Sequence, residues 1–489
     1  MSQTSPTSPP SASSLAHIGR LGPFLYLHET DSTQATLAAL VLLPKGADAP
    51  PALHAQDRAH DWHPIATIED TTMWRAQFAV GLSGPQHYDF DNTRYDLAGL
   101  GRQDMRIAYA SCNGEEHGDM DRDPTERNAM WVHMRAAHEA NPFSILLLGG
   151  DQVYADEVTN GHPLSDDWPD NVPDTSDPDD LTDLRAHLRR GFMQRYVVLF
   201  QDPDMAWMMA RVPMVAMWDD HDICDGWGSL WRQATFSDVG QTLFDCAREA
   251  FLIFQCAATD DDIPRLCLDP GGSSLGRSVR LPGLTILVPD LRSERGRRQV
   301  MGRAGWQGLE DEVGKGLPER TLVMSSVPML GPRLSVLEII MRVIPSMQKY
   351  EDDLRDQWQS RAHRSEWRRM LRQMLRIHSA EGSDLTILSG EIHLATRAMM
   401  DTGGAPLHQL VASGVAHRPP PQAWARILGA LAVFGEGPLA GHPIRIRPLP
   451  GQRTRYTAER NYLVLTRTGT DWHAHWELEL SGTTPPLAI

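Results

Sequence analysis

The chain is built from short apolar runs that end in polar residues. Between about residues 21 and 100 these are PFLYLHE, ATLAALVLLP and TMWRAQFAVGL, separated by Gly, Pro and Asp clusters with no helical periodicity. The pattern predicts a small β-rich domain over 21–103, behind a Ser/Pro/Thr-rich tail (1–20) expected to be disordered. At Met105 the grammar changes. MRIAYASC reads as a strand. DPTERNAMWVHMRAAHEAN reads as a helix, with Asp123 as its cap, Pro124 in the first helical position and Glu126 three residues after the cap. FSILLLGGDQVY is a second buried strand, and strand, helix and strand in that order predict parallel pairing. VPMVAMWDDHD, LTILVPDLRS, RTLVMSSVPM and LTILSGEIH repeat the design, with helical stretches between several of them, notably 349–379. The Asp- and Pro-rich run from Thr159 to Asp183 reads as a surface insertion, and NYLVLTRTGTDWHAHWELEL as a C-terminal hairpin around a Gly turn. The expected fold class is α/β, with residues 104–489 forming the main domain.

Composition narrows the function classes. With 489 residues, 41% hydrophobic and 22% charged, the chain is ordinary globular material, long enough for about two to four domains. Its 46 Lys+Arg against 63 Asp+Glu give a net charge of −17. That argues against nonspecific binding to nucleic acid or anionic membranes, which needs basic surface. An acidic protein acting on an anion must neutralise it locally, and bound cations are the obvious means. Five cysteines without a CxxC argue against a disulfide scaffold or a zinc knuckle. The N-terminal residues show neither a basic start with an apolar core nor a twin arginine, and no stretch approaches the roughly 18 apolar residues of a membrane span. A cytoplasmic protein is expected, with no membrane partner.

The chemistry sits where the strands end. In an open α/β sheet, ligands bind beyond the carboxyl ends of strands. Here those ends carry Cys112-Asn113, Gly150-Asp151 with Tyr154, Asp219-Asp220-His221, Asp290-Leu291-Arg292, and Gly390-Glu391 with His393. Taken singly, each has an ordinary explanation: Cys112 as a small core residue, Asp151 as a turn or cap residue, Tyr154 as packing, His393 as a satisfied core histidine, Arg292 as an ion-pair partner. Their recurrence at equivalent positions implies one shared pocket. Carboxylates crowded there would repel, so cations are expected among them.

These residues resemble the PhoD-like alkaline phosphatases, a branch of the calcineurin-like metallophosphatases. The matching segments are SCN at 111–113, GDQVY at 150–154, WDDHD at 218–222, DLRS at 290–293 with MGRAGWQGLEDEV after it, and SGEIH at 389–393, in the family's order. The resemblance implies a four-layer αββα metallophosphatase core preceded by a small β domain. It implies hydrolysis of phosphate mono- or diesters with iron (Fe3+) and calcium, other divalent metals being possible, and a small phosphate ester as the partner. By motif position, Cys112, Asp151 and Tyr154 would bind iron, and Asp151 would bridge to a second metal. Asp219, Glu391 and His393 would complete the ligands. Asp220 and His221 would contact the phosphate, and Arg292 would add a fork of donors. The family's Gly-Asp-x-His is Gly-Glu-x-His here. That departure keeps a second reading open, a non-catalytic phosphate- or phospholigand-binding protein on a degenerate phosphatase core. No chemistry is assigned after about residue 420.

Overall fold

A computed structural model describes residues 19–101, 104–173, 177–317, 319–332 and 357–489. Each apolar run predicted as a strand is one. Met105–Ala110, Ile145–Gly149 and Met214–Met217 pair in parallel in the first sheet, and Leu284–Val288, Glu319–Ser325, Ser383–Ser389 and Leu407–Val411 pair in parallel in the second. Asp123 caps the predicted helix through the amides of Thr125 and Glu126. The helix breaks at Asn128 and resumes as Ala129–Ala140.

The first sheet is longer than its parallel centre. Leu21–Thr30 lies parallel to Met214–Met217, and Gln34–Pro44, Thr71–Gly81 and His63–Ile68 continue the sheet antiparallel. The β-rich segment is thus joined by its backbone to the main sheet, while Leu53–Ala55, Arg58–His60, Gln86–Phe90 and Thr93–Leu97 form a separate four-stranded sheet. On the opposite edge, the predicted hairpin Asn461–Thr468/Asp471–Leu478 pairs with Met105–Ala110.

Strand alternation sorts the core. Ile107 and Tyr109, Ile145 and Leu147, and Val215 and Met217 pack in one cluster with Val279, Ile286, Val323 and Ile387 of the second sheet. The intervening Ala108, Ala110, Leu146, Leu148, Met214 and Ala216 pack on the other face against the helices Ala129–Ala140, Pro178–Phe200 and Asp238–Cys256. A period of two thus places one face of each strand against a sheet and the other against helices. The second sheet is covered in turn by Arg303–Gly314 and Arg364–His378. The latter buries Trp367, Met370, Leu371, Met374 and Ile377, the spacing of one helical face.

Two expected boundaries move. The predicted helical stretch 349–379 is helix over Arg364–His378. Residues 357–363 are turns, and 349–356 lie outside the described residues. The acidic run is shorter than read from composition: Asp177 caps a helix that starts at Pro178, because Asp followed by Pro opens a helix as readily as it extends a loop. Within the run, Ser165 and Trp168 are buried. Among the described residues, no helix is long and apolar enough to cross a membrane, and none of the five cysteines is in a disulfide.

The two sheets approach closely where their strands end. A Cβ on Gly390 would lie 2.2 Å from Ser111 Oγ and 2.6 Å from Ser111 Cβ. Gly390→Ala is therefore expected to force the two strand ends apart, costing about 1–3 kcal/mol. Thermal unfolding should show a midpoint lowered by several degrees; an unchanged midpoint would mean that this approach is not tight.

Candidate metal centre

The strand ends turn sharply. Cys112 (φ 56°), Asp151 (φ 54°), Glu391 (φ 67°) and His393 (φ 51°) all adopt left-handed backbone, which side chains with a Cβ avoid unless surrounding contacts hold them there. The contacts are visible. Cys112 N donates to Gly150 O (3.2 Å) and Asn113 N to Asp151 O (2.8 Å), while His393 N donates to Ser413 Oγ (2.8 Å). Asp222 ties two loops together. Its Oδ2 accepts from the amides of Asp151 (2.8 Å) and Asp219 (2.8 Å). Its Oδ1 accepts from those of Gln152 (3.0 Å) and Val153 (3.1 Å) and from Gln255 Nε2 (2.8 Å). Burial pushes the Asp222 carboxyl up, to about 7, against these donors, which favour its charge.

Among the described residues, four groups of donor atoms have their members within 4.8 Å of one another, and three lie at these strand ends: Cys112, Asp151 and His393; Asp151, Asp219 and Asp220; and Asp220, His221 and Asp225. Asp151 belongs to the first two. Its Oδ2 lies 3.5 Å from Cys112 Sγ, and its Oδ1 is buried without a hydrogen-bond partner. Tyr154 reaches the first group: its hydroxyl is 3.1 Å from His393 Nε2, and its ring stacks on His221 at 4.4 Å. Burial and then Asp219 push the Asp151 carboxyl up. Burial and then Asp151 push up the Cys112 thiol, and burial and then Cys112 the Tyr154 phenol. These are the shifts of buried acids crowded together, and a cation among them reverses the sign. Burial and then His417 push His393 down, toward the neutral imidazole that ligates metals. The orphaned Asp151 oxygen and the mixture of thiol, phenol, imidazole and carboxylate donors fit bound cations.

The sequence pattern of the PhoD related phosphatases matches residues 87–351, over half of the chain. The chain belongs to that family. An uncharacterised protein of Saccharomyces cerevisiae is 22% identical to it over 408 residues, covering 67% of this chain and 56% of the yeast protein. The chain thus spans a little over half the length of that relative. The solved structure of PhoD aligns with a TM-score of 0.56 and 12% identity over 95% of this chain and 88% of that one, a likeness of fold.

Within this member of the PhoD related phosphatases, two predicted site residues stand apart from the donor groups. Arg292 does not offer a fork to solvent. It is fully buried, its guanidinium pairs with Asp219 and Asp220, and Nη1 donates to Trp227 O (2.9 Å). Adjacent acids beneath the surface attract the nearest cationic side chain inward. Glu391, expected as a ligand, joins none of the donor groups among the described residues. Its carboxylate accepts from Gln357 Nε2 (2.8 Å to each oxygen). Asn113 serves packing, accepting from Trp131 Nε1 (2.8 Å), and Asp290 anchors its loop through Trp218 Nε1 (2.9 Å) and Leu275 N (2.7 Å).

His221 is where the motif predicts, and the structure adds its partner. Its Nδ1 is 2.9 Å from Asp156 Oδ1, so burial, which disfavours the imidazolium, is outweighed by Asp156 and Asp220, and its pKa rises. Asp156, Ser326 (whose hydroxyl donates to Asp219 Oδ1 at 2.6 Å), Ser413, Glu116, His417 and the role of Asp222 were not identified from the sequence. Only Asp222 had a signal, as the last residue of the quoted WDDHD.

Asp222→Asn places an amide NH2 against at least two N–H donors. Each buried donor left unsatisfied costs about 1–3 kcal/mol. The variant is expected to melt several degrees lower and to retain less metal than the parent, by calorimetry and elemental analysis. Parental stability and metal content would show that Asp222 does not hold the loops.

Proposed function

We propose that this chain is a metal-dependent phosphoesterase that hydrolyses small phosphate mono- or diesters. The observation that carries the reading is the pair of donor groups that share Asp151. On the αββα layering that the family resemblance implies, with 21–103 as an N-terminal β domain, this is where strand ends of the two sheets meet. Cys112, Tyr154, Asp151 and His393 are donors suited to ferric iron, and the hard oxygens of Asp151, Asp219 and Asp220 suit calcium, other divalent metals remaining alternatives. When bound, such ions stabilise phosphoryl charge as Lewis acids and make a water nucleophilic near neutral pH.

The protein's own residues supply the rest. Asp156 occupies Nδ1 of His221, which directs Nε2 to any phosphoryl or leaving-group oxygen and favours the protonated ring that stabilises one. Arg292 positions Asp219 and Asp220 and does not bind substrate, so the charge that receives the phosphate comes from the cations and from His221. Ser326 and Arg292 together fix which lone pairs of Asp219 remain for a cation. The alternative, a non-catalytic phosphate binder on a degenerate core, rests on Glu391, which stands outside the donor groups, and turnover by the metal-loaded protein decides between the two readings.

Three measurements test this reading. Purified protein is expected to carry iron and calcium and to hydrolyse p-nitrophenyl phosphate or bis-p-nitrophenyl phosphate, losing turnover on chelation. Metal-loaded protein that binds phosphate saturably but turns over neither ester would establish the binding-protein alternative. His221→Ala should lower kcat by ~10²-fold with metals retained; loss of a stoichiometric metal would instead place His221 among the ligands. Tyr154→Phe, which removes only an oxygen, should abolish a visible charge-transfer band of the iron-loaded protein without unfolding it. Identical spectra would exclude Tyr154 from the iron.

A further inference from the structure

Glu116 and His417 stand beside the donor groups and have no part in the proposed chemistry. Both lie outside the motifs that carry the family resemblance. They come from separate segments, one following the Met105–Ala110 strand and the other following Leu407–Val411. With His393 they form a further group whose donor atoms lie within 4.8 Å of one another. His417 Nε2 faces the Glu116 carboxylate at 3.3 Å from each oxygen. The other ring nitrogen, Nδ1, is 2.6 Å from Arg418 O, a contact that only an N–H can make favourably with a carbonyl. That carbonyl fixes the orientation of the ring and leaves Nε2 facing Glu116. The arrangement is the one metal-ligating histidines show, with the distal nitrogen held by a backbone carbonyl and the other aimed at further donors.

The segments are held in place independently of any ion. Ala416 and His417 donate their amides to Cys112 O (3.3 and 3.1 Å), and Arg122 Nη2 donates to Ala416 O (2.9 Å). Arg418 pairs with both Glu115 and Glu126 (3.0 Å each). The His417 ring stacks on His393 at 3.4 Å, which brings a third donor alongside. The Glu116 side chain is 38% exposed and that of His417 13%, so solvent and ions reach the pair.

We infer that Glu116 and His417, flanked by His393, form an additional cation site at the open side of the candidate centre. Imidazole and carboxylate donors without sulfur select a first-row divalent ion of borderline softness, zinc being the natural probe. With few protein donors the ion would keep open positions, as exchangeable sites do. The inference is tested by metal binding and not by turnover, so it stands or falls apart from the phosphoesterase reading.

The test is calorimetric titration of the metal-loaded protein with Zn2+, with elemental analysis before and after. The parent protein is expected to take up one further zinc equivalent. Glu116→Gln and His417→Gln, each conservative in size, should weaken that uptake at least ~10-fold while iron content and visible spectrum stay unchanged. Zinc uptake that is absent from the parent, or equal in parent and variants, would overturn the site and leave His417 and Glu116 as an ion pair. Concurrent loss of iron in both variants would also overturn it, since the two residues would then belong to the first centre.

Discussion

The candidate centre depends on one buried carboxylate. Asp222 accepts hydrogen bonds from the amides of Asp151, Gln152, Val153 and Asp219 and from the Gln255 side chain. These join the loop after one strand to the loop after its neighbour and to the helix Asp238–Cys256 behind them. Without such an acceptor, the loop amides would be buried and unsatisfied, at about 1–3 kcal/mol each. With it, Asp151 and Asp219 are fixed in mutual orientation before any ion binds. Preorganisation of this kind is what a metal site requires, because ligands that repel one another do not assemble on their own.

The second constraint is backbone strain. Four side chains with a Cβ occupy left-handed backbone around one point, and each such residue costs about 1–3 kcal/mol. Gly150 and Gly390 occur where no side chain fits at all: a Cβ on Gly150 would come within 2.9 Å of Asp219 Cβ, and its φ is +100°. The stability to hold these turns comes from the two apolar clusters, which fill the space between the sheets and beneath the helices. Strain is therefore localised at the edge of a core large enough to maintain it.

Much of this was legible in the sequence. Apolar runs with polar ends located the strands, and because parallel strands all point one way, their C-terminal residues had to converge. Cys112, Asp151, Asp219, Asp220, His221 and His393 do meet there. Failures have definite causes. Glu391 sits on left-handed backbone, so its side chain does not follow the every-second-residue direction of an extended segment toward His393. Arg292 was read outward because spacing says nothing about which of two oppositely charged loops folds beneath the other. Asp222 was hidden because three of its partners are backbone amides about seventy residues earlier, and amides carry no sequence signature. Glu116 and His417 come together only through the turn that lays the segment after Leu407–Val411 across Cys112.

Net charge closes the argument about how an anion could be received. The chain carries a surplus of 17 negative charges, and Asp151, Asp219 and Asp220 lie together at the centre. At an effective dielectric of about 20, two like charges 4 Å apart repel by about 4 kcal/mol, so a phosphate brought against bare carboxylates would be rejected. The cationic side chain nearest to them, Arg292, is fully buried and already paired with Asp219 and Asp220. It lowers the repulsion among the acids but leaves no fork for a ligand. On the proposed reading, attraction for an anion comes from cations that the acids themselves bind, with His221 beside them. On that reading, the carboxylates that would exclude a phosphate become, once they hold cations, the means of holding it.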